Sequence, residues 1–72
     1  NVEQKSIYLD PSRTDAPRRV AYRLSRTLGL DRQRLVRRLT SGKRFVWIKR
    51  KVDGSTVSRV QKMGIPGLDF VP

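Results

Sequence analysis

Arg44-Phe45-Val46-Trp47-Ile48-Lys49-Arg50-Lys51-Val52 is the stretch from which the fold can be worked out. Its β-branched and aromatic side chains fit a pleated, half-buried surface, and its period is two. Successive side chains of a strand point to opposite faces. Val46, Ile48 and Val52 therefore fall on one face, and Phe45, Trp47, Lys49 and Lys51 on the other. The first set predicts a core face lying under helices. The second leaves an aromatic pair and two ammonium groups on the opposite surface.

Reading downstream, Asp53 is placed to cap a helix whose inner side carries Val57, Val60 and Met63, with Gly64 ending it. Pro66-Gly67 then turns the chain into a last short strand from Leu68 to Val71. Gly64, Pro66 and Gly67 are structural turn residues in this reading. Upstream, Ser41-Gly42 ends a helix that Asp31 caps and in which Leu35, Val36 and Leu39 form the buried stripe. Before it, Asp15 is expected to cap another helix, with Pro17 tolerated in the first turn. At about 100° per residue, Val20, Ala21, Leu24 and Leu28 share one stripe of that helix, and Arg19, Arg23 and Arg26 lie on the far side. Gly29 closes it in the left-handed conformation. Ser6-Ile7-Tyr8-Leu9 reads as a first strand, stopped by Asp10-Pro11. The order is β-α-α-β-α-β, an α+β domain in which a small three-stranded sheet is covered on one face by helices.

Seventy-two residues allow a single domain, 1–72, with a modest core. Seventeen Lys and Arg against six Asp and Glu set the formal net charge at +11, which favours polyanions or anionic lipid headgroups as partners. The chain has no His and no Cys, which excludes disulfides, thiol chemistry and Cys/His zinc sites. Its longest apolar run, Phe45 to Ile48, is far short of the roughly 20 residues a membrane-spanning helix needs. The start, Asn1-Val2-Glu3-Gln4-Lys5, lacks the apolar stretch of a secretory leader.

Catalysis finds little to work with. General acid–base chemistry calls for His or closely placed carboxylates with separated pKa values. The six acids are scattered, and Asp15, Asp31 and Asp53 are better explained as helix caps. No Ser is followed three positions later by Lys, so the Ser-x-x-Lys acylation motif is absent. Gly42-Lys43 has no upstream glycine to complete a phosphate-binding loop. Gly64-Ile65-Pro66-Gly67 has the GxxG spacing of an RNA-clamping loop, but Pro66 removes an amide donor and the turn reading is the better one. The expectation is a non-enzymatic segment with no catalytic residue, metal or cofactor.

Two uses of the outward strand face stay open on the residues alone. Phe45 and Trp47, with Tyr8, could stack bases while Lys49 and Lys51 hold a nucleic-acid backbone. The same aromatic surface could instead pack against a protein partner or a neighbouring domain.

Four stretches carry a resemblance. Ser6-Ile7-Tyr8-Leu9-Asp10-Pro11 resembles the strand-then-Asp-Pro start of the non-catalytic pedestal, or dimerisation, domain of class B penicillin-binding proteins. Leu28-Gly29-Leu30-Asp31 is similar to its interhelical break, and Arg44 to Arg50 to its aromatic, basic strand. Met63-Gly64-Ile65-Pro66-Gly67-Leu68-Asp69-Phe70 resembles its helix exit and final strand. Order and spacing agree from Ser6 to the end, and the aromatic-rich strand points to the division-type, septal branch. The resemblance implies the head subdomain of a larger protein, held on the extracytoplasmic (periplasmic) side of the cytoplasmic membrane by an anchor outside these residues. It further implies a separate D,D-transpeptidase domain, acylated by stem peptides or β-lactams. The expected partners are other domains of the parent chain, a membrane glycosyltransferase, other divisome proteins and an anionic lipid surface. Tyr8, Phe45, Trp47, Lys49 and Lys51 are the candidate partner-binding residues. The pedestal role gives no reason for a charge of +11.

Overall fold

A computed structural model describes residues 4–72, so the readings of the first residues and of the full 1–72 span lie in part outside the described residues. Strand β1 (Lys5–Leu9) runs into a single 3-10 turn (Pro11–Arg13), followed by α1 (Pro17–Leu28) and α2 (Arg32–Leu39). β2 (Val46–Val52), α3 (Gly54–Gln61) and β3 (Leu68–Val71) complete the chain. The α+β class and the β-α-α-β-α-β order are those expected. In space the strands lie in the order β2-β1-β3, antiparallel throughout, so the first strand in sequence is the middle one of the sheet.

The core lies between the inner sheet face and the helices. Ile7 and Leu9 of β1 meet Val46, Ile48 and Val52 of β2 with Val20, Ala21, Leu24 and Leu28 of α1, Leu35 and Leu39 of α2, and Val57 and Val60 of α3. Val36 and Met63, expected on inner stripes, are half-buried and pack against this cluster, as do Leu68 and Phe70 of β3. Ile7, Leu9, Leu24, Leu39 and Val60 are shut off from solvent altogether, and burial of each stabilises the domain by about 1.5–3 kcal/mol. Ser25 is the polar exception on α1, and its Oγ donates to the Tyr22 carbonyl at 2.8 Å.

Two of the three expected caps form. Asp31 Oδ1 accepts from the Arg34 amide at 2.9 Å, and Asp53 Oδ1 from the Thr56 amide at 2.8 Å. Asp15 does not cap α1: the N-cap is Ala16, with no side-chain hydrogen bond. Pro17 is the cause. A residue before proline is pushed out of the helical region, so the last non-helical residue is Ala16 (φ −139°, ψ 72°) and Asp15 falls one position too early. Asp10 takes an unforeseen capping role, its Oδ1 accepting from the Ser12 amide at 3.0 Å to hold the 3-10 turn.

The turn before β3 is as expected. Asp10 donates its amide to the Gly67 carbonyl at 3.0 Å, tying the end of β1 to the turn. Gly67 has φ +84°, and a Cβ there would lie 2.6 Å from the Asp10 carbonyl oxygen. Both the dihedral and the close approach demand glycine.

The simple alternation expected along β2 breaks. Tyr8 pairs with Trp47 and Leu9 with Val46, but Ile7 pairs with Lys49 and Lys5 with Val52, so the register shifts twice. Extra β2 residues are accommodated in a bulge, where Lys51 adopts the left-handed conformation (φ 56°) and donates its amide to Ser6 Oγ at 3.1 Å. Each inserted residue resets which face the following side chains take. The placement of Lys49 beside Phe45 and Trp47 is therefore corrected. Lys49 sits opposite the core residue Ile7, and its ammonium donates to the Leu28 carbonyl at the C-terminal end of α1, 3.3 Å away. Lys51 occupies the bulge itself, exposed.

Candidate interaction surface

The outer sheet face is built by period-two alternation on β1 and the start of β2. Ile7 and Leu9 turn inward, which leaves Tyr8 outward, paired with Trp47 on one side and Asp69 on the other. Phe45, immediately before β2, joins them. The Tyr8 and Phe45 rings stack at 4.9 Å between centroids with 20° between planes, and Trp47 meets Phe45 edge-on at 4.9 Å and 88°. Trp47 also meets Tyr8 edge-on at 6.3 Å. Offset-stacked and edge-to-face geometries suit the ring quadrupoles and make the cluster self-supporting. Phe45 remains 50% exposed within it.

Arg50 takes the place expected for the lysines, with its guanidinium carbon 5.0 Å from the Trp47 ring centroid. A cation over an indole face is held by the ring quadrupole. Of the five residues singled out in the sequence, the fold brings Tyr8, Phe45 and Trp47 together and carries the Lys49 ammonium to the end of α1, while Lys51 stands exposed in the bulge.

A groove runs beside this cluster, between α2 and the start of β2, with a volume of about 530 Å³. Arg34, Arg37 and Arg38 line one side, Lys43 lies beyond the helix, and Phe45 and Trp47 form the other wall. The arginines share a helix face because they are three and four residues apart. That spacing is visible in the sequence, and sequence reading passed over it. What the spacing cannot reveal is that this face borders the aromatic strand. Among the described residues, no carboxylate lines the groove.

Two carboxyls, those of Asp10 and Asp53, titrate below their ordinary value. The Ser12 hydroxyl bonded to Asp10 keeps its carboxyl below the usual value of 3.8 against the opposing effect of desolvation, with the Ser12 amide and then the charges of Arg44 and Arg13 adding to the lowering. The Thr56 amide does the same for Asp53, with the Thr56 and Ser55 side chains adding to it. These shifts belong to caps and mark no acid–base pair. Among the described residues, no group of three His, Cys, Asp or Glu is placed to hold a metal ion, and no helix is long and apolar enough to cross a membrane.

Of the turn residues, Gly64 (φ 62°) and Gly67 adopt left-handed conformations on either side of Ile65-Pro66, which places them in the framework. In comparisons with known proteins, no protein-family model and no curated protein sequence matches the chain.

Proposed function

We propose that the chain is a non-catalytic scaffold and docking subdomain of a septal peptidoglycan D,D-transpeptidase, the head of a class B penicillin-binding pedestal. The observation that carries the docking role is the Tyr8–Phe45–Trp47 cluster on the sheet face turned away from the helices, with Phe45 half exposed. Aromatic side chains that are rigidly held, yet open to solvent, are the usual anchors of protein interfaces. The family assignment is supported by where the four resembling stretches fall. They coincide with β1 and its exit, the α1–α2 break, the start of β2, and the turn into β3. In this reading the parent protein is anchored outside these residues and lies on the extracytoplasmic side of the membrane. Its glycosyltransferase and other divisome proteins are the partners.

Nucleic-acid binding is the competing reading of the charge. The ring contacts weigh against it, because base stacking needs free aromatic faces. Tyr8 and Phe45 cover each other, and Arg50 lies over Trp47.

The full-length parent is the test. With Phe45→Ala and Trp47→Ala it should still be acylated by a fluorescent penicillin, yet fail to co-purify with its division partners and to gather at the septum. A parent that no penicillin labels would overturn the transpeptidase assignment. Unchanged septal recruitment of the double variant would overturn the docking role.

A further inference from the structure

We infer that the groove between α2 and Phe45–Trp47 is a receptor for an acidic segment of a partner polypeptide, which binds with its carboxylates on Arg34, Arg37, Arg38 and Lys43 and an apolar side chain against the ring wall. This deepens the docking role proposed above, and rests on it for the partner's being a protein.

The charge is the first ground. Four cations converge on one groove whose lining, among the described residues, includes no carboxylate. Low-dielectric walls with one sign of charge focus the field into such a cleft. Asp31 lies in a neighbouring recess, on the other side of Arg34 and Arg38, and does not line the groove itself. The identity of the cations is the second ground. Three of the four are arginines, whose planar fork matches a carboxylate with two parallel hydrogen bonds. Phe45 and Trp47 supply the third, an apolar wall on which a hydrophobic side chain loses its water.

The shape selects among anionic partners. A volume of about 530 Å³ lies within the range of clefts that enclose a small ligand or a few side chains. A bilayer surface meets a protein over a broad face and has no cause to prefer this recess. A single nucleic-acid strand would need several free ring faces, and one face each of Tyr8 and Phe45 is used in their stacking while Arg50 lies over Trp47. An extended peptide needs only the groove.

The chain has one tryptophan, Trp47, so its own fluorescence reports on the wall of the groove. The probe is an unlabelled peptide of alternating glutamate and leucine, titrated near physiological salt, with its glutamine counterpart as control. The glutamate peptide should give a saturable change in Trp47 emission and the glutamine peptide none. Arg34→Ala with Arg37→Ala and Arg38→Ala should weaken binding by about tenfold or more. Arg19→Ala with Arg59→Ala and Lys62→Ala removes three cations elsewhere and should leave it within about twofold. Circular-dichroism melts establish that both triple variants are folded; should the groove triple not fold, Arg38→Gln alone replaces it, with a loss of about threefold expected. Equal weakening by both triples would reduce the effect to overall charge and overturn the site. So would equal binding of the glutamine peptide. Tighter binding of oligothymidylate or of phosphatidylglycerol vesicles, lost in the same groove variant, would assign the site to another class of partner. A parent that penicillin labels, with a groove that takes no acidic peptide, removes this inference and leaves the docking role standing.

Discussion

Gly67→Ala should destabilise the domain well beyond the cost of a left-handed alanine. Gly67 and Gly42 share the same φ of +84°, but a Cβ at Gly42 meets nothing within 4 Å, whereas at Gly67 it would lie 2.6 Å from the Asp10 carbonyl oxygen. At both positions alanine incurs the left-handed backbone penalty of about 1–2 kcal/mol. Only at Gly67 must the Asp10 peptide also move. That peptide donates its N–H to the Gly67 carbonyl at 3.0 Å, so retreat loosens a hydrogen bond with a net contribution of about 0.5–1.5 kcal/mol. The end of β1 moves with it, and β1 is the strand that holds the sheet together. The total for Gly67→Ala is therefore about 1.5–3.5 kcal/mol, against about 1–2 kcal/mol for Gly42→Ala. In a domain of this size each kcal/mol lowers the Tm by about 4–8 °C, so Gly67→Ala should melt about 2–12 °C below Gly42→Ala. Parallel calorimetric or circular-dichroism melts measure the difference directly. Equal melting temperatures for the two variants would refute the close-approach argument and leave only the dihedral.

Asp31→Ala should cost about 1 kcal/mol, whereas Asp15→Ala, which removes no cap, should leave the Tm nearly unchanged in the same melts. Asp10 and Asp53 contribute to the acid dependence of stability. Their folded carboxyls titrate below the usual 3.8, so the unfolded chain binds more protons in that window and stability rises with pH through it. Their contribution is complete above the usual value and is lost as pH falls through the depressed one. Asp10→Asn with Asp53→Asn should thus flatten the acid arm of a Tm–pH curve by lowering its neutral plateau, with the variant and parent curves converging at pH below the depressed values. Trp47→Ala should cost about 1–2 kcal/mol through lost ring and guanidinium contacts, less than the 2–5 kcal/mol expected for Leu9→Ala in the core. A larger Tm loss for Trp47→Ala than for Leu9→Ala would make Trp47 a core residue and not an anchor.

The placement of the charge bears on the proposed docking role. Eight arginines lie on α1 and α2, at Arg18, Arg19, Arg23, Arg26, Arg32, Arg34, Arg37 and Arg38, and the sequence alone suggests a uniformly solvated basic layer. Packing divides them. Arg26 and Arg32 gather around Tyr22, at 5.7 and 5.4 Å from its ring centroid, while Arg34, Arg37 and Arg38 face the aromatic strand. The same side chains thus present distinct surfaces, and only the second has an apolar wall from the sheet.

Element type and order were legible in the sequence because their signals act over a few residues. Gly29 closes α1 through its own dihedral, Asp31 and Asp53 cap through the amide three residues on, and the apolar stripes follow from helical and strand periods, whereas α3 ends at Gln61 with Lys62 as its C-cap, short of the expected Gly64. Asp15 misled because the decisive neighbour was Pro17, whose restriction on Ala16 outweighs a capping side chain one position too early. Three features depended on the tertiary structure: β1 as the middle strand, the bulge that moves Lys49 to the end of α1 and brings Arg50 over Trp47, and the meeting of an arginine face with an aromatic strand. Each depends on pairing or packing between segments far apart in the chain. Periodicity along one segment specifies which side chains share a face, but carries no information about which distant segment that face will meet, or where a register shift will end its alternation.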